Sequence, residues 1–307
     1  MPRIVLGAPI SAQASLIWLA GHLGYFKAHH IDVELHPYPS GKRSLTALMR
    51  GDVTLAITAE TPFAIAAFTH PELRLYATVG KSDNDMRILA RRDHGITTPG
   101  DLRGKTIATQ RASAVHFFLS GFLLYRDLNP DGVKRRFMKA EALPQALASG
   151  EVDAIAMREP FLSRATQRLK RRQWIEFGAP GLYTKTHNIV ASKDFVIEHP
   201  GAMEGILSAL SEASHFAERH PDRAIAIVAA RLGIQPAVLE RLWPDLRLRV
   251  TLNQGLLTSL REEARWALDE AIVTLESNEI PDFLAYLEPG PLEHTLPYAV
   301  GLIGIEP

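Results

Sequence analysis

The chain has 307 residues, with 34 Lys+Arg balanced by 34 Asp+Glu, so bulk charge directs it neither to nucleic acid nor to a membrane surface. It contains no cysteine, which excludes disulfides, thiolate zinc sites, iron–sulfur clusters and cysteine nucleophiles. Hydrophobic residues make up 46% and charged residues 22%, the balance of a globular protein, and at about 150 residues per domain the length allows roughly two domains.

Met1-Pro2-Arg3 leads straight into the strand-like Ile4-Val5-Leu6-Gly7, without a signal peptide. No apolar run reaches the 18 or so residues that cross a bilayer, so direct membrane insertion is not expected. A cytoplasmic location follows if the chain is full length as given, and a periplasmic or other extracytoplasmic one if a leader has been removed.

Arg3 to Ala8 reads as a buried strand, followed by the polar turn Ile10 to Ser15 and a helix from Leu16 to Phe26 that Gly24 stops. Ile31 to Leu35 alternates as a second strand, and Ser40 stands where it would cap a helix over Lys42 to Arg50. Val53 to Thr58 is a third strand, Pro62 to Phe68 a helix and Leu73 to Val79 a fourth strand. This βα repetition predicts a mainly parallel sheet flanked by helices. After the polar break Lys81 to Asp85, a strand over Arg87 to Arg91 leaves the first lobe. A second series then runs through strands Thr106 to Thr109, Val133 to Met138, Val152 to Met157 and Trp174 to Phe177. Its helices extend to about Tyr125, over Leu143 to Ala148 and over Pro160 to Lys170. The extended His187 to Ser192 returns the chain to the first lobe. Helices are expected over Met203 to Arg219, Arg223 to Arg231, Pro236 to Leu242 and Asn253 to Ser277, with a short one near Phe283 to Leu287. The second lobe, 87–190, is thus inserted into a first lobe of 1–86 and 191–307, with two crossings that form a hinge.

One internal echo organises these elements. Ala47 to Pro62 (ALMRGDVTLAITAETP) and Ala146 to Pro160 (ALASGEVDAIAMREP) both run Ala-Leu-x-x-Gly-acid-Val and reach a Glu, 99 residues apart. Each combines a helix end with its Gly stop, a short buried strand and a polar turn. Residues just beyond the C-terminal end of such a strand sit where open α/β sheets bind ligands.

No enzymatic fingerprint is present. The twelve His residues include no His-x-x-x-His pair of the metalloprotease type, and neither a Gly-x-Ser-x-Gly elbow nor Gly-x-Gly-x-x-Gly with its flanks occurs. Gly104-Lys105-Thr106 imitates the end of a phosphate loop but lacks the Gly further back and precedes a strand. What remains are polar residues at strand ends: Ser11, Gln13 and Ser15; Ser40 and Gly41; Thr58, Glu60 and Thr61; Gln110, Arg111 and Ser113; Arg158 and Glu159. Helix N-termini are expected after Ser40, Thr61 and Ser113, where free N–H groups and the helix dipole favour an anion. Arg111 and Arg158 add guanidinium groups suited to sulfonate, carboxylate or nitrate. His116, on the first turn of its helix, either faces the ligand or packs, and His187-Asn188 could reach the same region.

GHLGYFKAHHIDVEL, SLTALMRGDVTLAIT, ITTPGDLRGKTIAT and ALASGEVDAIAMREP occur in an order that resembles the type 2 periplasmic solute-binding proteins of the nitrate, taurine and aliphatic-sulfonate branch, which also holds thiamine-pyrimidine precursor binders. The resemblance covers about residues 4 to 195. It implies the two-lobe type 2 periplasmic-binding-protein fold, lobes that close over a small solute, an ABC transporter permease as partner, a monomer, and no cofactor. It also implies Ser11, Gln13, Ser40, Gly41, Glu60, Thr61, Gln110 to Ser113, Arg158 and Glu159 as ligand residues. Lys42-Arg43 at the start of the second helix and Arg158 before Glu-Pro depart from the family pattern.

The function expected is binding of a small anionic or polar organic solute (sulfonate-, nitrate- or pyrimidine-like) and its delivery to the permease. Two alternatives stay open: a ligand-sensing domain of a signalling protein, and a non-cysteine lyase or synthase on the same scaffold with Glu60 or His116 as base. The absence of cysteine sets aside the cysteine chemistry of related desulfinases and pyrimidine-precursor synthases.

Overall fold

A computed structural model describes residues 4–274 and 279–302. Its longer strands are β1 (Ile4–Pro9), β2 (Val33–Tyr38), β3 (Leu55–Ala59), β4 (Leu73–Ser82), β5 (Met86–Arg91), β6 (Thr106–Thr109), β7 (Lys134–Phe137), β8 (Ala154–Arg158), β9 (Trp174–Phe177) and β10 (Lys185–Ser192). The chain divides into two compact units, Met1–Lys81 with Lys185–Pro307, and Ser82–Thr184.

In the first unit the strand order is β2-β1-β3-β10-β4. β1 runs parallel to both β2 and β3, as helical βα crossovers require, while β10 lies antiparallel to β3 with Ile189 opposite Ile57. β10 enters without a crossover helix, which is why it breaks the parallel pattern. β2 includes Pro37 and extends three residues beyond the expected Leu35. It is an edge strand, where a missing N–H is tolerated. The helix Ala202–Arg219 buries Ala202, Met203, Ile206, Leu207, Leu210, Ala213 and Ala217, an i, i+3/i+4 stripe against the helix Ser15–Leu23. That first helix ends at Leu23, not Phe26, because Gly24 turns left-handed at φ 77° and starts the separate turn Tyr25–Ala28. The helix expected to reach Ser277 closes at Asp269, and Ala271 adopts φ 49°. Residues 275–277 of that expectation lie outside the described residues.

The second unit repeats the plan. Its strand order is β7-β6-β8-β5-β9, with β6 parallel to β7 and β8, and β5 antiparallel to β8 and β9. The helix expected over Pro160 to Lys170 is shorter, Phe161–Thr166. The two copies of the internal echo become β3 and β8, each the third of five strands. Their Gly stops, Gly51 and Gly150, both take positive φ, 76° and 77°, a conformation that costs a side-chain-bearing residue about 1 kcal/mol or more.

Candidate functional site

In the first unit the C-terminal ends of β1 and β3 carry a dense set of buried polar side chains. Past β1, Ser11 precedes the short turn Ala12–Ala14 and is 1% exposed, and its Oγ has no hydrogen-bond partner among the described residues. Gln13 is fully buried; its Nε2 donates to the Lys185 carbonyl at 3.2 Å while Oε1 has no partner among the described residues. Gly80 on β4 makes room for this turn, since a Cβ there would lie 2.3 Å from the Gln13 carbonyl oxygen. Ser15 does not face outward as a free hydroxyl, because its Oγ donates to the Ala12 carbonyl.

On β3, Thr58 is fully buried and its Oγ1 also lacks a partner among the described residues. The helix Gly41–Met49 begins directly over this point. A Cβ on Gly41 would sit 2.9 Å from Thr58 Cα and 3.0 Å from Ala59 N, so no other residue fits the approach. Ser40 caps that helix as expected, its Oγ accepting from Arg43 N at 3.4 Å. Thr61 is not a cap. The helix Glu60–Ala66 starts two residues earlier with Ala59 at its N-cap, and Thr61 is buried in the first turn.

Glu60 is fully buried, and its Oε2 accepts from both Thr186 N and Thr186 Oγ1 at 2.8 Å. Thr186 Oγ1 in turn accepts from Asn188 Nδ2 at 2.8 Å, and Asn188 Oδ1 accepts from Thr78 Oγ1 at 2.7 Å. All donors in this chain point the same way and end on the carboxylate, which fixes the Asn188 amide and the Thr186 hydroxyl rotor. The geometry thus adds Thr78, Thr186, Asn188 and the buried Lys185 to the candidate set. Of these, only Asn188 is a candidate from the sequence alone. The available signal was the polar run Lys185-Thr186-His187-Asn188 opening a strand whose first seven residues are buried.

In the second unit the turn after β6 holds Gln110, half-buried, and Arg111, exposed. Ala112 takes φ 54°, and Ser113 stands at the N-cap of the helix Ala114–Tyr125, but its Oγ donates to the Gln110 carbonyl instead of capping. His116 is 1% exposed, its Nδ1 accepting from Ala112 N at 3.4 Å, and its ring meets Phe137 edge-on at 4.7 Å. The Arg111 guanidinium lies 5.7 Å from the same Phe137 ring. The His116 ring thus packs against Phe137 beside the turn.

Arg158 ends β8 opposite Met86 and is 6% exposed, with Nη1 donating to the Glu159 carbonyl at 2.7 Å. Burial pushes this guanidinium down to about 10, against the fields of Asp85 and Glu159, which hold it up. Glu159 Oε2 accepts from Ser163 N at 3.0 Å and so caps the following helix turn. Glu60 and Glu159 occupy the same position of the echo but differ in duty: the first joins β10 to β3, the second caps the helix that follows it.

Among the described residues no three His, Cys, Asp or Glu side chains group to hold a metal ion, and no helix is long and apolar enough to cross a membrane.

Two α/β units, each built on a five-stranded mixed sheet with polar side chains gathered at its strand ends, define the class as the periplasmic-binding-protein fold. The chain belongs to the NMT1/THI5-like family, whose model matches residues 11–224. It is 25% identical to the taurine-binding periplasmic protein of Escherichia coli over 194 residues, 62% of this chain and 59% of that protein. The alkanesulfonate-binding protein SsuA from Xanthomonas axonopodis pv. citri, solved with MOPS bound, superposes with a TM-score of 0.77 at 20% identity, covering 98% of each chain. The desulfurization enzyme DSZB superposes with a TM-score of 0.69 at 16% identity, covering 97% of this chain and 99% of that one. These likenesses to solved structures establish the fold.

Proposed function

We propose that this protein is the solute-binding component of an ABC importer and takes a small sulfonate-type organic solute at the strand ends of the first unit. The observation that carries this is the set of three buried polar atoms without a partner, Ser11 Oγ, Gln13 Oε1 and Thr58 Oγ1. Each such group costs about 1–3 kcal/mol when left unmet, so the sequence retains them for something that meets them. Two hydroxyls donate to the oxygens of a sulfonate, and the Gln13 oxygen accepts from a donor such as an amine or amide. The similarity to taurine- and alkanesulfonate-binding proteins supports the same solute class. In the second unit Arg158 and Arg111 each stand at a strand end and offer a guanidinium suited to an anion. On this reading the protein works as a monomer in the periplasm and hands its solute to a membrane permease.

A thermal-shift panel of taurine, longer alkanesulfonates, nitrate, carboxylates and pyrimidines tests the proposal. A true solute at about 100 times its dissociation constant adds roughly 2.7 kcal/mol, a clear rise in melting temperature. Stabilisation by uncharged aromatic compounds alone would refute the sulfonate reading. For the second unit, Arg158→Met should weaken an anionic solute about tenfold with the melting temperature held. A lower melting temperature with unchanged affinity would make Arg158 structural.

A further inference from the structure

A different part of the first unit concentrates positive charge in a cavity. Lys81, at the end of β4, faces Arg247 across an antiparallel bridge: Lys81 N donates to the Arg247 carbonyl at 3.0 Å and Arg247 N to the Lys81 carbonyl at 2.9 Å. Two like charges placed directly opposite on neighbouring strands repel and destabilise the pairing. The segment around Arg247 alternates, with Leu246, Leu248 and Val250 buried and Arg247 and Arg249 exposed, so both arginines share the outward face. Arg249 is matched by Glu218, which accepts from its Nε at 3.0 Å and its Nη2 at 2.8 Å. Neither Lys81 nor Arg247 has an ionic partner among the described residues. A cavity of about 530 Å³ is lined by Lys81, Arg247, Arg249, Glu218, Thr78 and Thr251, and a second of about 420 Å³ shares Glu218, Arg249 and Thr251 with it.

We propose that this cavity is a second ligand site, which takes a small dianion: sulfate or phosphate, free or as an organic monoester. Three cations against one carboxylate leave two positive charges, and a dianion between Lys81 and Arg247 removes the repulsion across the bridge. Of the strand-end candidates Thr78 alone lines this cavity; Ser11, Gln13 and Thr58 do not. It lies where the chain leaves the first unit, since Lys81 is the last residue before the second begins. A bound dianion therefore fastens this exit to the segment 247–251. Charged side chains on a strand edge also guard against edge-to-edge pairing. That simpler role explains exposed arginines but predicts no saturable anion binding.

The test is a calorimetric titration of the full chain with sodium sulfate, inorganic phosphate and glycerol phosphate, at constant ionic strength set with chloride. Saturable binding of a dianion is expected, with the amides of Lys81 and Arg247 exchanging hydrogen more slowly when it is bound. The double variant Lys81→Met/Arg247→Met should raise the dissociation constant at least tenfold. Glu218→Gln, which frees Arg249, should lower it several-fold, a gain that misfolding cannot imitate. Thr58→Val, at the strand-end site, should leave it unchanged. Preference for the monoester assigns an organic ligand, and equal binding assigns the free anion. Absence of saturable binding, its survival in the double variant, or its loss in Thr58→Val would overturn the proposal.

Discussion

Replacing Thr58 by Val separates stability from binding. Val keeps the shape of Thr but substitutes a methyl for the hydroxyl, whose oxygen is fully buried and unpartnered. No hydrogen bond is lost. The substitution removes a desolvation cost of about 1–3 kcal/mol and buries one more apolar group. A fold of this size gains about 2–4 °C per kcal/mol, so the ligand-free protein should melt roughly 2–12 °C higher. The same change deletes a donor to the solute, worth about 0.5–1.5 kcal/mol, and affinity should fall up to about tenfold. Thermal melts and calorimetric titration of one preparation read both effects. A lower melting temperature would mean that the hydroxyl is already satisfied in the ligand-free chain. Unchanged affinity for every stabilising solute would remove Thr58 from the site. Either result refutes the reasoning from unpartnered atoms.

Thr186→Val behaves oppositely. It strips Glu60 of one of its two bonds from Thr186 and leaves Asn188 Nδ2 without its acceptor, so the urea midpoint should drop by the equivalent of about 2–4 kcal/mol. Gly80→Ala places a Cβ 2.3 Å from the Gln13 carbonyl oxygen and should destabilise by about 1–3 kcal/mol while weakening the solute, because the turn carrying Gln13 must move. In the second unit the hydrogen-bonded guanidinium of Arg91 holds the Asp93 carboxyl down at about 2. A depressed carboxylate stabilises the fold above its unfolded pKa of about 4 and loses that contribution as pH falls toward 2. Asp93→Asn should therefore flatten the acid limb of the stability profile between about pH 4 and 2, as acid titrations of unfolding would record; a limb of unchanged slope would show that the pair contributes nothing.

The echo at Ala47 and Ala146 located the most informative strands, because a Gly stop and a run of small apolar residues are local signals. β3 and β8 are both the third of five strands, and the polar residues after them lie at strand ends. The cap expected at Thr61 falls two residues earlier, since the helix starts on Glu60 with a plain Ala at its cap. The polar chain through Thr78, Thr186 and Asn188 was not legible as a network. Those residues are up to 110 apart and meet only because β10 returns antiparallel between β3 and β4, a pairing no local pattern encodes. The opposition of Lys81 and Arg247 is hidden for the same reason: each looks like an ordinary surface cation until the bridge sets them face to face.

The most direct test of the account is a crystal structure of the protein with a stabilising sulfonate bound. The account predicts the solute's polar atoms within hydrogen-bonding distance of Ser11 Oγ, Thr58 Oγ1 and Gln13 Oε1. A solute bound elsewhere, with those three atoms still unpartnered or bridged only by water, would contradict it.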